Sequence, residues 1–114
     1  MRWLLAIRKA AFRERRRLLD WLRPPILVVL VPERPTKLCR NILYVTQQAN
    51  GPAFGFLRCP CGCKQTLHLR FFGDRRPRWE LQTLSGKATV HPSVWRQTGC
   101  KSHFVLRDGK VNWC

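Results

Sequence analysis

The sequence predicts a small, mainly β module preceded by a basic amphipathic helix. Three observations predict this fold class: helical periodicity near the start, alternating apolar and polar runs from about residue 38, and two short cysteine-containing clusters at turns. We therefore expect a helical arm and linker over residues 1–37 and a β-domain over residues 38–114.

The helical arm is predicted from a repeat of about 3.6 residues over positions 1–22. One face carries apolar residues and the opposite face is basic, namely Leu4, Ile7, Ala11, Leu18 and Leu22 against Lys9, Arg13, Arg16 and Arg17. Pro24 and Pro25 end the helix, because proline cannot continue the backbone hydrogen bonding. Such a helix packs on its own domain, or docks on a partner, a nucleic acid or an anionic membrane.

The β-domain is predicted from short runs rich in β-branched and aromatic residues, separated by turn residues. Asp108-Gly109 favours a two-residue hairpin turn, since both positions tolerate positive φ. The apolar run 26–31 suits an edge strand or a linker. The further candidate strands are Asn41–Thr46, Ala53–Arg58, Gln65–Phe72, Arg78–Gln82, Ser93–Arg96, His103–Arg107 and Lys110–Trp113.

The two clusters supply a pool of metal ligands. Cys59, Cys61 and Cys63 lie in a CPCGC turn, and Cys100 precedes His103 at Cys-x-x-His spacing. A structural zinc ion takes four such ligands in a closed tetrahedron. We therefore predict a Zn²⁺ site and a zinc-ribbon-like module. A Cys₃His set leaves one CPCGC cysteine unused; alternatively all three bind and either Cys100 or His103 does not.

Other candidate ligands and catalytic groups have weaker support. Cys39 and Cys114 are alternative ligands, although Cys39 fits better as a small buried apolar residue; His68 and His91 are predicted not to bind metal. None of the six carboxylates neighbours a ligand in sequence, which disfavours a catalytic zinc. Ser102 adjoins His103, but neighbours on a strand point to opposite faces, so no serine triad is predicted. We expect no catalytic residue.

The charge of the chain is strongly positive. Twenty-two Lys and Arg oppose six Asp and Glu, giving a formal net charge of +16. Such a field attracts polyanions. The candidate polyanion-binding residues are Arg13, Arg15, Arg16, Arg17, Arg75, Arg76, Arg78 and Arg96. Clustered cysteines without a signal peptide indicate a reducing compartment, so we expect a cytoplasmic protein.

The motifs of residues 38–114 resemble a small bacterial family. CPCGC, Pro92-Ser93, Cys-x-x-His-Phe and a final Gly-x-Val-x-Trp hairpin occur together in it. Its members look like predicted metal-binding proteins, some encoded near ubiquitin-like conjugation genes. The resemblance implies that the pool Cys59, Cys61, Cys63, Cys100 and His103 binds metal. We interpret Pro92-Ser93 as a structural turn, and the resemblance carries no activity.

Three functions follow from these patterns. The first is a non-catalytic zinc-binding accessory or adaptor in a bacterial ubiquitin-like conjugation or defence system, with a protein partner. The second is a nucleic-acid-binding zinc module that uses its basic residues and aromatic rings. The third is a thiol redox site at CPCGC. A membrane surface is a weaker candidate partner, and no pattern indicates a small-molecule substrate.

Overall fold

The computed structural model describes residues 22–114, and this part of the chain is mainly β. The predicted N-terminal helix lies outside the described residues, except for Leu22. Eight strands follow one another within them: β1 Leu27–Leu30, β2 Ile42–Gln48, β3 Gly51–Arg58, β4 Thr66–Arg70, β5 Glu80–Leu84, β6 Lys87–Trp95, β7 His103–Arg107 and β8 Lys110–Trp113. None of the described residues forms a helix long and apolar enough to cross a membrane.

The strands form one sheet in the order β4-β3-β2-β1-β6-β7-β8, with β5 paired to β6. Strand β1 runs parallel to β2 and antiparallel to β6. It thereby joins an antiparallel meander of β2, β3 and β4 to a second one formed by β5 to β8. The apolar run 26–31 is therefore an interior strand and not the expected edge or linker. The sheet is also larger than the zinc-ribbon-like hairpin module predicted from the cysteines.

Two hairpin turns have the same backbone geometry. Asp108-Gly109 has φ values of 50° and 77°, and Ser85-Gly86 has 51° and 77°. The first turn was predicted together with its two flanking strands, whose bounds agree with β7 and β8. The second turn was not predicted, and β6 is consequently longer than expected.

Strand β6 runs through Pro92, which the sequence analysis placed in a turn. The pairing with β7 shifts register between Val90 and Val94, so this stretch is a β-bulge. A bulge accommodates proline because the strand is locally released from the ladder. Pro92-Ser93 therefore belongs to a strand, and Ser93 is held by sheet pairing on either side of the bulge.

The core lies between the two meanders. Its fully buried side chains come from both of them and from the residue before β1, and include Ile26, Leu43, Val45, Leu57, Leu69, Val90, Phe104 and Leu106. Burying this apolar surface is the main favourable contribution to folding. The core fixes the ends of β3, β6 and β7 against one another, and both cysteine clusters lie at those ends.

Candidate active site and metal centre

Four cysteines converge at one end of the sheet. The sulfur atoms of Cys59, Cys61, Cys63 and Cys100 all lie within 4.8 Å of one another. The Cys59 sulfur is 3.3 Å from that of Cys61 and 3.6 Å from that of Cys100. The structure thus unites all three CPCGC cysteines with the cysteine of the second cluster.

Two loops bring these sulfurs together. The first joins β3 to β4, and its turn is closed by a hydrogen bond from the Gly62 N–H to the Cys59 carbonyl, at 3.2 Å. Gly62 has a φ of 89°, which explains a glycine between the two cysteines. The second loop joins β6 to β7 and is closed by a bond from the Arg96 N–H to the Ser102 carbonyl, at 2.8 Å.

Two polar side chains surround the sulfurs. The buried Ser102 hydroxyl lies 3.2 Å from the Cys100 sulfur and 3.6 Å from the Cys59 sulfur. The Arg96 guanidinium donates to the sulfurs of Cys63 and Cys100, each at 3.8 Å. Four thiolates around a divalent ion carry a net charge of −2, which this guanidinium partly offsets. Arg96, predicted as a polyanion contact, therefore lies against the cysteine cluster.

The thiols differ in acidity. Burial raises the pKa of Cys59 to about 12 and also raises the pKa of Cys63. Burial acts in the same direction on Cys100, but hydrogen bonds from the Ser102 hydroxyl and backbone outweigh it and lower the pKa of Cys100 to about 6. Hydrogen bonds from Ser102 and neighbouring groups likewise lower the pKa of Cys61.

A backbone donor two residues further along the chain lowers the pKa of each of the four thiols. These donors are the N–H groups of Cys61, Cys63, Gln65 and Ser102. Hydrogen bonds of this kind stabilise thiolates. At Cys59 and Cys63 burial outweighs these bonds, so the thiolate form that a metal ion needs is favoured at Cys61 and Cys100.

The cysteine cluster can hold a metal ion. Zinc bound by four thiolates at about 2.3 Å requires sulfur–sulfur distances of roughly 3.8 Å, which the observed spacing approaches. Four sulfur donors suit soft or borderline metals better than Mg²⁺ or Ca²⁺. Cys39 and Cys114 lie outside the cluster and are exposed, and the expected burial of Cys39 is wrong.

His103 contacts a serine and is not among the four clustered groups. Its Nε2 atom lies 2.9 Å from the Oγ atom of Ser93, within hydrogen-bond distance. Ser93 comes from β6, and His103 opens β7. A serine hydroxyl bonded to an imidazole is the arrangement by which a base activates a nucleophile. The site contains a serine–histidine pair that the sequence analysis did not predict.

Strand pairing explains this contact. Trp95 pairs with His103, and the neighbouring pair of Arg96 and Ser102 is hydrogen-bonded. Trp95 and His103 are therefore a non-hydrogen-bonded pair, in which side chains lie closest. Their rings stack at 5.0 Å with an interplanar angle of 18°. Ser93 lies two residues before Trp95, on the same face.

Trp79 holds the backbone of the serine. Its indole Nε1 donates to the Ser93 carbonyl at 3.2 Å, and its own N–H donates to the Arg70 carbonyl at 2.9 Å. It thus bridges β4 and β6. Ser93 and His103 are both partly exposed, so a substrate can reach them. The Pro-Ser motif was the available sequence signal, and its partner His103 was recognised only as a candidate ligand.

The structure describes three more of the predicted basic residues, all in one segment. Arg75, Arg76 and Arg78 are exposed in the segment between β4 and β5. The candidates Arg13, Arg15, Arg16 and Arg17 lie outside the described residues. Of the histidines predicted not to bind metal, His68 packs edge-on against the Phe56 ring, and His91 lies exposed in β6.

Comparison with models of protein families shows which family this chain belongs to. Residues 30–114, about three quarters of the sequence, match the model of BubE, described as a bacterial ubiquitination-like system serine protease. The chain belongs to the BubE family. No curated protein and no solved structure matches it. The expected link to ubiquitin-like conjugation systems is therefore confirmed. The BubE description weighs against a purely non-catalytic role.

Proposed function

We propose that this BubE-family chain is a metal-stabilised serine protease, with Ser93 as nucleophile and His103 as general base. The hydrogen bond of 2.9 Å between Ser93 Oγ and His103 Nε2 carries the proposal. The description of the family as a serine protease supports it. Proteins of the ubiquitination-like system are then the expected substrates.

The chemistry follows from the pair. Ser93 Oγ attacks a carbonyl carbon, and the hydroxyl proton passes to His103 Nε2. The imidazolium then gives this proton to the departing amine or alcohol as the bond to the carbonyl breaks, which leaves an acyl group on Ser93. A water molecule attacks that ester while His103 accepts its proton. Return of the proton to Oγ releases the acid and restores the pair.

The proton positions require one tautomer of His103. Nε2 must be unprotonated to accept the serine proton, so Nδ1 carries the hydrogen in the resting state. In this proposal Trp95 supports the imidazole from one face. An aromatic face also attracts cations, which favours the imidazolium formed during the reaction.

The metal in this proposal is structural zinc. Cys59, Cys61, Cys63 and Cys100 would complete its coordination, and a closed four-ligand set leaves no position for a substrate. Zinc would supply a cross-link between the β3–β4 loop and the β6–β7 loop. The second of these loops leads directly into His103, so the cross-link would fix the general base relative to Ser93.

The decisive experiment replaces each member of the pair. Hydrolysis of p-nitrophenyl acetate and labelling by a fluorophosphonate are measured for wild type, Ser93→Ala and His103→Ala. We expect both variants to lose at least about 10³-fold in kcat and Ser93→Ala to lose labelling. Ser85→Ala, in an exposed turn, serves as the control.

Retention of wild-type hydrolysis by folded Ser93→Ala would overturn the protease proposal. That result would favour the hypothesis that the chain is a non-catalytic adaptor. Metal content of each variant must be measured in parallel, since loss of zinc would mimic loss of the catalytic pair. Titratable thiols without bound metal would instead support a redox site at CPCGC.

Polyanion binding is a second candidate function. Arg75, Arg76 and Arg78 lie close together in sequence and all are exposed, within a chain of net charge +16. Phosphate contacts by such residues make affinity fall steeply with salt. Fluorescence anisotropy with a single-stranded oligonucleotide, for wild type and the triple Arg→Gln variant, tests this second function independently of hydrolysis.

A further inference from the structure

The edge of β4 that faces away from β3 presents backbone groups for pairing. Hydrogen bonds from the Phe71 N–H to the Ala53 carbonyl and from the Cys59 N–H to the Gln65 carbonyl flank the β3–β4 ladder, at 2.9 and 2.8 Å. Because antiparallel pairs alternate, the odd-numbered residues of β4 bond to β3. The backbone groups of the even-numbered residues, among them His68, point outward.

The same argument applies to β6. The Arg96 N–H donates to the Ser102 carbonyl, so Arg96 and, two residues earlier, Val94 bond towards β7. The backbone groups of Ser93 and Trp95 therefore point away from β7. The bond from Trp79 Nε1 to the Ser93 carbonyl confirms this direction.

These two edges border one cleft. A cavity of about 270 Å³ is lined by four residues of β4 together with Trp79, Val94, Trp95 and Arg96. Trp79 spans one end by bonding to both strands. The lining is mixed, with the apolar side chains of Leu67, Leu69 and Val94 and two tryptophans beside Thr66, His68 and Arg96, and it contains no carboxylate. The cleft thus combines outward backbone groups on both sides with room for an apolar side chain.

We propose that this cleft binds an extended segment of the substrate polypeptide as an added strand. Outward N–H and C=O groups of an edge strand are what another strand pairs with. Because the Ser93 carbonyl already accepts from Trp79, the segment pairs with β6 at Trp95 and ends beside the nucleophile two residues away. An aliphatic side chain next to the scissile carbonyl occupies the apolar part of the cleft. This inference rests on the proposed protease function.

The test compares two esters that share one scissile bond, acetyl-leucine p-nitrophenyl ester and acetyl-Ala-Ala-Ala-Leu p-nitrophenyl ester. We expect wild type to have at least tenfold higher kcat/KM for the longer ester. His68→Pro removes an outward N–H without removing a bond to β3, so the ratio of the two rates should fall about threefold to tenfold.

Thr83→Pro is the matched control. Thr83 lies in β5, and the flanking pair Leu84 and Lys87 closes a two-residue turn, so the Thr83 backbone points away from β6. This variant also places proline on an outward edge, but far from the cleft. The rate ratio should equal that of wild type. An equal fall in both proline variants would overturn the inference.

A second test uses wild-type protein and therefore does not depend on the folding of His68→Pro. It uses analogues of the longer probe in which one backbone amide is replaced by an ester. Replacing an alanine by lactate removes one substrate N–H, and at least one position should lose threefold or more. No loss at any position would overturn strand addition. Hydrolysis of the short ester that does not depend on Ser93 would overturn the protease proposal, and this inference with it.

Discussion

The indole of Trp95 lies almost parallel to the imidazole of His103, with ring centroids 5.0 Å apart and an interplanar angle of 18°. More than half of the Trp95 side chain is exposed, so core packing does not explain this tryptophan. No carboxylate among residues 22–114 is hydrogen-bonded to His103. The stack is therefore the contact in this region that orients the imidazole towards Ser93, together with the hydrogen bond itself.

The first prediction concerns this stack. Trp95→Ala should lower kcat for p-nitrophenyl acetate about threefold to tenfold, because an aromatic pair contributes roughly 0.5–1.5 kcal/mol beyond its buried area. Trp95→Phe should recover most of the rate, since a phenyl ring also stacks. Equal rates for wild type and Trp95→Ala would show that the imidazole is held in another way.

The second prediction links the cysteines to the proposed catalytic pair, Ser93 and His103. Cys100→Ser should release the metal and lower hydrolysis strongly, because Cys100 lies three residues before His103 in the loop that the metal would fix. Metal per chain is measured by plasma mass spectrometry, and kcat on the same samples. Cys39→Ser removes an exposed thiol outside the cluster and should change neither quantity. A metal-free Cys100→Ser protein with full activity would separate the two sites.

The third prediction concerns Arg96. Its guanidinium donates to the sulfurs of Cys63 and Cys100 at 3.8 Å, and losing such an outer contact typically weakens metal affinity about 10–100-fold. Arg96→Gln should therefore lose metal faster to a chelator than wild type. Arg107→Gln removes the same charge from an exposed position and should not. Equal rates of loss in both variants would show that only net charge matters.

The fourth prediction is that metal binding releases protons. The pKa values of Cys59, at about 12, and of Cys63 are raised, so both thiols are protonated near pH 7 before metal binds. A thiol must lose its proton to bind a metal ion as a thiolate. Affinity should therefore fall as pH decreases, by at least about a hundredfold per pH unit for two protons. Calorimetry in buffers of different ionisation enthalpy counts the protons, and zero release would contradict four-thiolate binding.

The sequence predicted the parts of the fold whose signals are local. Asp108-Gly109 suits a turn that needs positive φ at two successive positions. Recognising this turn also gave the bounds of the two strands beside it. The apolar run 26–31 did not reveal which strands it pairs with, because interior and edge strands are both rich in β-branched residues. Its parallel pairing with β2 depends on contacts that no local pattern encodes.

In the candidate site, too, the sequence predicted the local features and missed those that depend on long-range pairing. Spacing within each cluster predicted the ligand pool, since cysteines two residues apart are close in any turn. Which members of the pool lie together depends on the β6–β7 register, which pairs Trp95 with His103 and brings Ser93 to the imidazole. The residues Ser93 and His103 are ten apart, and only the strand pairing across a loop reveals the contact.

The last prediction concerns the docking of a hairpin turn against the start of β1. Gly109 and Gly86 both have a φ of 77°, so alanine is similarly strained at either position. A Cβ on Gly109, however, would lie 2.8 Å from the Pro25 Cβ and 3.0 Å from the Ile26 backbone, whereas one on Gly86 meets only Leu27, at 3.9 Å. Gly109→Ala should therefore lower the free energy of unfolding by at least about 1 kcal/mol more than Gly86→Ala, because overpacking costs about 1–3 kcal/mol. Denaturant unfolding of the two variants measures the difference. Equal losses would mean that the β7–β8 turn moves away from Ile26 without cost, and that the 2.8 Å bond from the Ile26 N–H to the Gly109 carbonyl contributes little.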